Sequence, residues 1–526
     1  MSETKHAQAA SETPDRSPRQ RSVSEIALLV TIALTALHLV DHVLRADARG
    51  WQILHVATPF GLAALLALRR PWLRLVLAFL LLAGLQVTHM FLETPDDQYN
   101  TWATGTSRLL HAIGTPNLLG ISSPALGVAS VVVALTASAA FALTLVLLAG
   151  EVHTLRRSAR TVATVVLVLI LLADAVYLWA LTATGRSEVA RAIVWQDSDV
   201  LDYRRLPART IHRRLPALPL SRGPEPSPPL TVTADGGRRD LDDFLRDTGT
   251  TAFIAIKGNV IRTERYFNGY RRDSVVASFS TAKPFVSTLV GIAIAEHRIH
   301  SVDDPVTRYL PELARRGAGF GRITLRHLLT MSSGLAQQDP YYSLDLRAEA
   351  LANTRIIGPP GTRFDYNNIN TVLLGLVLER VTGGPVSAYL EDKVWGPLGM
   401  EADAAWSMDS SASGLEQMQA GLSGRAVDFA KLGLLYLHKG SWQGRTLVPP
   451  AWVEESTRAD TVTDPASQFQ YNWWMRPDLP GDYWSRGNHG QWIYVSPGQD
   501  AVLVRYGVED GYHDWPTVLA QLARRL

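Results

Sequence analysis

The sequence has no cysteine and very little lysine. Without cysteine, the chain has no disulfide, no thiolate metal ligand, no cysteine nucleophile and no cysteine for lipid attachment. An arginine keeps its proton in a protein, whereas a lysine amine that is shielded from water can lose it. A lysine placed beside a serine is therefore a candidate catalytic base. Only six of the 51 basic residues are lysines: Lys5, Lys257, Lys283, Lys393, Lys431 and Lys439.

Other absences narrow the classes of function. The 51 basic and 49 acidic residues nearly cancel, and a net charge of +2 gives no reason to expect a nucleic-acid partner. The His-Glu-x-x-His pattern of zinc proteases does not occur, and we expect neither a metal nor another cofactor. At 526 residues, the chain is long enough for more than one domain.

Apolar segments fill most of the first third of the chain. They run at about 25–44, 53–68, 73–92, 126–150 and 161–184, and the second is short and contains Pro59. A helix of about 20 residues rises ~30 Å, which is enough to cross the hydrocarbon core of a bilayer. The pattern predicts a disordered cytoplasmic tail at 1–23 and an α-helical membrane domain at 24–184 with about five transmembrane helices.

Basic residues are distributed unevenly around these segments. The tail carries four, the second and fourth loops carry three each, and the first and third loops hold three between them. Because positively charged loops stay on the cytoplasmic side, we predict a multi-pass protein of the cytoplasmic membrane with its N-terminus in the cytoplasm. An odd number of crossings then places the C-terminal part outside the cytoplasm, and the lipid bilayer is an expected partner.

The rest of the chain divides into a linker and a second domain. Residues 185–234 are rich in Arg and Pro, and the Pro-rich stretch at 219–229 predicts an extended spacer. Strands from both ends of 235–526, with helices between them, predict one mixed sheet in an α/β domain. The strand patterns lie at 251–257, 260–266, 492–496 and 501–506.

The stretch Ser280-Thr281-Ala282-Lys283 opens a helical pattern in this second domain. A lysine three residues after a serine lies one helical turn away on the same face. A neutral amine in that position can take the proton from an attacking hydroxyl. Because a single Ser-x-x-Lys also arises by chance, the interpretation depends on the motifs that accompany it.

Three further motifs follow in order along the chain. They are the segment 323–335, the block Tyr366-Asn367-Asn368 ahead of an apolar helical run, and Gly487-Asn488-His489-Gly490-Gln491 ahead of a strand pattern. Together with Ser-x-x-Lys, the set resembles the serine β-lactamase-like superfamily of class C β-lactamases, DD-peptidases, esterases and amidases. The last motif, with Tyr341-Tyr342, is most similar to the 6-aminohexanoate-dimer hydrolase branch, and the resemblance covers about 241–526.

The resemblance implies a fold and a set of catalytic roles. The fold is an antiparallel sheet with flanking helices and an inserted helical lobe, with the site at their junction. Ser280 would be the nucleophile and Lys283 the general base, with Tyr366 sharing proton transfer and protonating the leaving group. Asn368 would orient the substrate carbonyl group.

Other residues of the resemblance would bind the substrate. The backbone N–H groups of Ser280 and Asn488 would form the oxyanion hole, and Gly487 would let its strand approach the substrate closely. Tyr341 or Tyr342 would contact the substrate, with a packing role as the alternative. No residue is expected to bind a metal.

One position departs from the β-lactamase pattern. The late strand of those enzymes carries Lys or His two residues before the motif Gly. Here that position is Ser485, with Arg486 beside it. Strand alternation predicts Ser485 and Gly487 on one face and Arg486 on the other. The cationic group that meets a substrate carboxylate is therefore expected to be missing or displaced.

The sequence thus predicts a membrane-anchored serine hydrolase. Its substrate would be a small-molecule or peptide-like ester or amide, cleaved through an acyl-enzyme on Ser280. One alternative is a penicillin-recognising sensor that is acylated without turnover. Another is an inactive membrane scaffold, which the joint presence of Ser280, Lys283 and Tyr366 disfavours.

Overall fold

The computed structural model describes residues 22–45, 52–91, 95–105, 117–152, 157–459 and 468–526. The chain separates into two compact units: the N-terminal unit holds residues up to 103 together with 123–176, and the C-terminal unit holds 104–122 and 177–526. The predicted tail at 1–23 lies outside the described residues except for its last two positions.

The N-terminal unit is helical. Its helices are α1 (Val23–Leu44), α2 (Gln52–Leu65), α3 (Pro71–Phe91), α4 (Pro95–Thr104), α5 (Pro124–Glu151) and α6 (Arg157–Ala183), of which α6 continues into the C-terminal unit. All of these except α4 coincide with the five apolar segments. Among the described residues, α1 and α5 are long and apolar enough to cross a bilayer. A third candidate exists if the second part of α6 and the following helix, bent by 113°, count as one span, and the crossings by α2 and α3 stay predictions.

The C-terminal unit combines helices with sheets. Its helices are α7 (Glu188–Trp195), α8 (Leu241–Asp247), α9 (Lys283–Ala295), α10 (Pro311–Ala314), α11 (Leu325–Leu329), α12 (Leu346–Ala348), α13 (Asn368–Thr382), α14 (Val386–Leu390), α15 (Ala426–Leu437), α16 (Pro450–Ser456) and α17 (Trp515–Ala523). Its strands are β1 (Ala208–Ile211), β2 (Ser221–Arg222), β3 (Thr231–Ala234), β4 (Gly237–Asp240), β5 (Thr250–Lys257), β6 (Val260–Tyr266), β7 (Val275–Ala277), β8 (Ala404–Ser407), β9 (Leu422–Arg425), β10 (Ser441–Trp442), β11 (Arg445–Thr446), β12 (Phe469–Gln470), β13 (Trp473–Met475), β14 (Tyr483–Gly487), β15 (Gln491–Ser496) and β16 (Ala501–Gly507).

The main sheet joins early and late strands. Its order is β12-β13-β14-β15-β16-β5-β6-β2, and every pair is antiparallel except β2 with β6. The late strand β16 pairs with the early strand β5, with Val504 opposite Ile254. This arrangement confirms the predicted α/β fold of the second domain, a sheet closed by strands from both ends.

Alternating side chains of this sheet build two hydrophobic layers. Ile254 and Ile256 of β5 pack into the larger core with α9, α13 and α15. Phe253 and Ala255 point to the other face and pack against α8 and α17. Burial of each large apolar side chain contributes roughly 1.5–3 kcal/mol, so both faces hold the sheet in place. The helical lobe is inserted between β7 and β8, beside the end of β14.

The segment predicted as a linker contributes structure to the C-terminal unit. It contains α7, and β1 pairs with β8 over Ala208 to Ile211. Its Pro-rich stretch includes β2, where Ser221 and Arg222 pair with β6. Composition reports local preference only, and these pairings are made with strands that lie far away in the sequence.

Candidate active site

Ser280 lies where β7 ends and α9 begins. A single 3₁₀ turn over Phe279–Ala282 joins the two elements, and the Thr281 hydroxyl donates to the Ser278 carbonyl oxygen at 2.8 Å. Phe279 adopts a left-handed backbone conformation with φ of 45°. A bulky residue in that region is strained, and such strain is typical of functional turns. The turn places the Ser280 side chain at a cavity.

Lys283 is the first residue of α9 and points back at this serine. Its Nζ donates to Ser280 Oγ at 2.7 Å and to the Gln419 carbonyl oxygen at 2.8 Å. The lysine is buried, with 1% of its surface exposed. Among the residues that the structure describes, no carboxylate oxygen lies within 4.0 Å of this amine. The predicted serine–lysine pair is therefore brought together, in a setting without a counter-ion.

Tyr366 lies beside the amine. Its ring centroid is 5.0 Å from Lys283 Nζ. The ring stacks on Trp474 with centroids 5.7 Å apart and meets Phe469 edge-on at 5.9 Å. The backbone is held as well, because Gln337 Nε2 donates to the Tyr366 carbonyl oxygen at 2.6 Å. The phenol is thus fixed next to the serine–lysine pair.

Asn368 begins α13, directly after its N-cap residue. The Asn367 side chain accepts from the Ile369 backbone N–H at 3.1 Å, which satisfies one of the free donors of the first turn. The predicted loop-to-helix transition is therefore correct. Asn368 lines the cavity, and its Nδ2 donates to Asp339 Oδ1 at 3.4 Å.

Gly487 ends β14 against the nucleophile turn. A Cβ on this residue would lie 2.5 Å from the Ser278 carbonyl oxygen and 3.1 Å from the Ser280 backbone nitrogen. Only glycine permits this approach. The strand therefore brings the following Asn488 to the cavity that holds Ser280.

Gln491, the last residue of the fourth motif, and Arg505, which the sequence did not single out, hold the Asn488 turn. Gln491 Nε2 donates to the carbonyl oxygens of Asn488 at 3.0 Å, His489 at 2.9 Å and Gly507 at 2.8 Å. The buried guanidinium of Arg505 donates to the Gly490 carbonyl oxygen at 2.7 Å. Burial lowers the pKa of Arg505 to about 9. The only signal for Arg505 in the sequence was its charge in the otherwise apolar β16.

Ser485 and Arg486 lie on opposite faces of β14. Ser485 is buried, with 1% of its surface exposed. Arg486 is on the exposed face, where its Nη2 lies 3.1 Å from Asp510 Oδ2. The guanidinium is therefore paired outside the cavity.

The two tyrosines of the 338–343 loop both line the cavity. Tyr341 is stacked on Phe279 with centroids 6.2 Å apart, and its hydroxyl donates to Asp202 Oδ2 at 3.0 Å. Burial, reinforced by the Asp202 charge, raises the pKa of Tyr341 well above its ordinary value. Tyr342 packs on Trp195 at 5.4 Å. Both rings thus lie between the nucleophile turn and the segment that precedes β1.

The cavity has a volume of about 710 Å³. Four carboxylates line it and, among the described residues, no lysine or arginine does. It is bounded by Glu188, Ala192, Gln196, Asp197, Ser198, Phe279, Ser280, Gln338, Asp339, Pro340, Tyr341, Tyr342, Ser343, Glu349, Tyr366, Asn368, Ala420 and Asn488. In the described part of the chain, no group of three or more His, Asp or Glu is placed to hold a metal ion.

Comparisons with known proteins show the family to which the C-terminal unit is similar. Residues 239–513 match the family described as Beta-lactamase. The 6-aminohexanoate-dimer hydrolase of Paenarthrobacter ureafaciens is 28% identical over 333 residues, which cover 57% of this chain and 82% of that protein. Esterase EstB of Burkholderia gladioli is 31% identical over 193 residues, or 30% of this chain and 48% of the esterase.

One solved structure is similar to this chain in fold alone. It comes from Bacillus anthracis and is provisionally titled a 6-aminohexanoate-dimer hydrolase. It superposes with a TM-score of 0.56 at 21% identity, covering 63% of this chain and 94% of that one. The coverage extends beyond the family match, so the similarity of fold includes part of the segment ahead of residue 239.

Proposed function

The chain belongs to the beta-lactamase family of serine hydrolases, and we propose that it cleaves an ester or amide through an acyl-enzyme on Ser280. The observation that carries this proposal is the 2.7 Å hydrogen bond between Lys283 Nζ and Ser280 Oγ in a buried site. Ser280 opens on a cavity that Tyr366 and Asn488 also line, and Lys283 is joined to it by the hydrogen bond to Ser280. This arrangement supports a site in which nucleophile, base and oxyanion donors act on one substrate.

The reaction would proceed in two halves. In the first, a neutral Lys283 amine takes the Ser280 hydroxyl proton while Oγ bonds to the substrate carbonyl carbon. The backbone N–H groups of Ser280 and Asn488 hold the oxyanion. Tyr366 relays the proton to the leaving alcohol or amine, and the bond to the carbonyl carbon breaks. In the second half, water attacks the acyl carbonyl carbon and gives a proton to Lys283. That proton passes to Ser280 Oγ as its bond to the acyl carbon breaks, and the acid is released.

The relatives support both kinds of scissile bond. One carries the name of a dimer hydrolase and the other that of an esterase. Arg486 is paired with Asp510, and Ser485, which is buried and is not among the residues lining the cavity, carries only a neutral hydroxyl. We therefore propose that the substrate presents no carboxylate at this strand. Small neutral esters and amides would be preferred to penicillins.

We further propose that the N-terminal helices anchor the enzyme in the cytoplasmic membrane, with the C-terminal unit outside. Exposed apolar side chains on α1, such as Val30, Leu37 and Val40, support a lipid-facing helix. A fluorophosphonate that cannot cross membranes should label Ser280 in intact spheroplasts. Labelling that requires broken membranes would reverse the proposed orientation.

Kinetics with a chromogenic ester test the catalytic proposal. We expect a burst of p-nitrophenol followed by steady turnover from native protein and neither from Ser280→Ala. A stoichiometric burst without turnover would instead support the sensor that is acylated once. Absence of both burst and probe labelling would refute the proposed hydrolase.

A further inference from the structure

The end of α6 packs against a wall of the cavity. Ala180 and Ala183, in its last turns, are buried together with Trp195 of α7. Tyr342 packs on the same cluster and also lines the cavity. Glu188, the first residue of α7, is another lining residue. The C-terminal unit therefore holds the end of this helix and the substrate volume in direct continuity.

The outer face of α6 is an exposed apolar stripe. At 100° per residue its side chains, together with the exposed Leu171, cover about half of the helix circumference, and the half-buried Asp174 lies outside that arc. The helix has 27 residues and is about 40 Å long, more than the ~30 Å hydrocarbon core. The stripe consists of Val162, Val165, Val168, Leu169, Leu172, Val176 and Trp179, each about half exposed.

A lipid bilayer is the occupant that fits this stripe. The stripe rises about 26 Å from Val162 to Trp179, close to the thickness of the hydrocarbon core. Trp179 lies near the end of the helix, where aromatic side chains favour the lipid–water interface. Arg157 and Arg160 precede the stripe at the other end, as expected for a cytoplasmic flank. A soluble protein rarely leaves an apolar surface of this extent uncovered.

The segment of chain that connects α6 to the cavity rim is short. Four residues separate Ala183 from Glu188, which makes five steps along the chain. Extended chain covers at most about 3.6 Å per step, so Glu188 at the cavity rim lies within about 18 Å of the helix end. The polar headgroup region on each side of a bilayer is roughly 5–8 Å thick. A bilayer around α6 would therefore keep the cavity rim within about 18 Å of the headgroups.

From this geometry we propose that the substrate is a membrane-resident amphiphile, an inference that rests on the proposed function. Its headgroup ester or amide enters the cavity, and its apolar tail stays in the bilayer. Water and the headgroup ester would give an acid and an alcohol through the Ser280 acyl-enzyme. Because Glu188 and Asp197 line the cavity without a cationic neighbour in the lining, an uncharged or cationic headgroup fits better than an anionic one.

The test compares substrate in the same membrane with substrate in a different one. The full chain is reconstituted in phosphatidylcholine vesicles. The probe is an uncharged dialkylglycerol ether whose third glycerol oxygen carries a CH₂–C(=O)–O–p-nitrophenyl group. It is placed either in the enzyme's vesicles or in separate vesicles. The soluble reference is p-nitrophenyl acetate, and the blank is Ser280→Ala. We expect the anchored ester to be cleaved roughly tenfold faster or more in shared vesicles, and more slowly when added phosphatidylcholine dilutes it.

The outcomes separate this inference from the proposed function. Equal rates for shared and separate vesicles, with the soluble ester turned over, would overturn the membrane-resident substrate and leave the hydrolase intact. So would protein that does not float with the vesicles. No turnover of either ester and no fluorophosphonate labelling would overturn the hydrolase and this inference together.

A spacer variant tests the short connection itself. Twelve Gly/Ser residues inserted after Gly185 add about 18 Å of flexible reach, which should reduce the preference for shared vesicles severalfold while p-nitrophenyl acetate is still cleaved. The matched control places the same insert between Gly383 and Gly384, where an added Cβ would meet no atom within 4 Å. A preference unchanged by the first insert would contradict the proposal. If the insert after Gly185 abolishes cleavage of p-nitrophenyl acetate, the proposal is decided by the comparison of shared and separate vesicles with the native chain.

Discussion

Substitution of Gly487 by alanine would displace the strand that carries the oxyanion donor. The added Cβ would lie 2.5 Å from the Ser278 carbonyl oxygen, and ordinary contact begins at 3.4 Å, so β14 must retreat by about 0.9 Å. The Ser278 oxygen and the Ser280 nitrogen, which is 3.1 Å away, are backbone atoms and cannot rotate away. Misplacement of a catalytic group by about 1 Å costs on the order of 10²-fold in rate. Loss of one oxyanion donor costs about 10²–10³-fold.

We therefore expect Gly487→Ala to lower kcat for p-nitrophenyl butyrate by about 10²-fold, with little change in KM. The rate of fluorophosphonate labelling should fall in parallel, because it also passes through an oxyanion. The matched control is Gly498→Ala in the next hairpin, where a Cβ would meet nothing within 4 Å. Circular dichroism confirms folding. A Gly487→Ala enzyme within threefold of native kcat would refute the role assigned to this close approach.

Three further substitutions test other parts of the site. Lys283→Arg keeps the charge but cannot act as a neutral base, so kcat/KM should fall by ~10²–10⁴-fold. The control Lys393→Arg should leave kcat/KM unchanged. Near-native turnover by Lys283→Arg would refute the assignment of Lys283 as the base. Gln491→Leu leaves three backbone carbonyls without their donor, so the free energy of unfolding should fall by roughly 1–3 kcal/mol in thermal unfolding, and kcat should also fall. An unchanged free energy of unfolding with an unchanged kcat would contradict the role of Gln491. Native enzyme should cleave a short ester with higher kcat/KM than a penicillin, and Ser485→Lys should shift that ratio toward the penicillin; a native preference for penicillin would refute the carboxylate argument.

The parts of the site that depend on local geometry were predictable. Ser280 and Lys283 are three residues apart at a helix start, and that spacing alone places the amine near the hydroxyl. Alternation along β14 likewise predicted the opposite orientations of Ser485 and Arg486. In both cases the observed arrangement follows from one element, without knowledge of the rest of the fold.

The parts that depend on tertiary contacts were not predictable. The carbonyl that receives the second Lys283 hydrogen bond belongs to Gln419, which is 136 positions away. The segment 185–234 has the composition of a spacer, yet it supplies α7, β1 and one wall of the cavity. No pattern of hydrophobic periodicity encodes which distant strand or loop such a segment meets.

Among the lysines that the structure describes, Lys283 and Lys431 are fully buried, and a comparison of the two shows what is particular to Lys283. Lys431 donates to the Leu218 and Gly399 carbonyl oxygens and lies 3.7 Å from the Asp428 carboxylate. Lys283 instead donates to a serine hydroxyl and, in the described part of the chain, has no carboxylate within 4.0 Å. Both amines bind carbonyl oxygens, so burial alone does not identify a base. What distinguishes Lys283 is that the deprotonated amine would still have a proton donor to bind, the hydroxyl of Ser280.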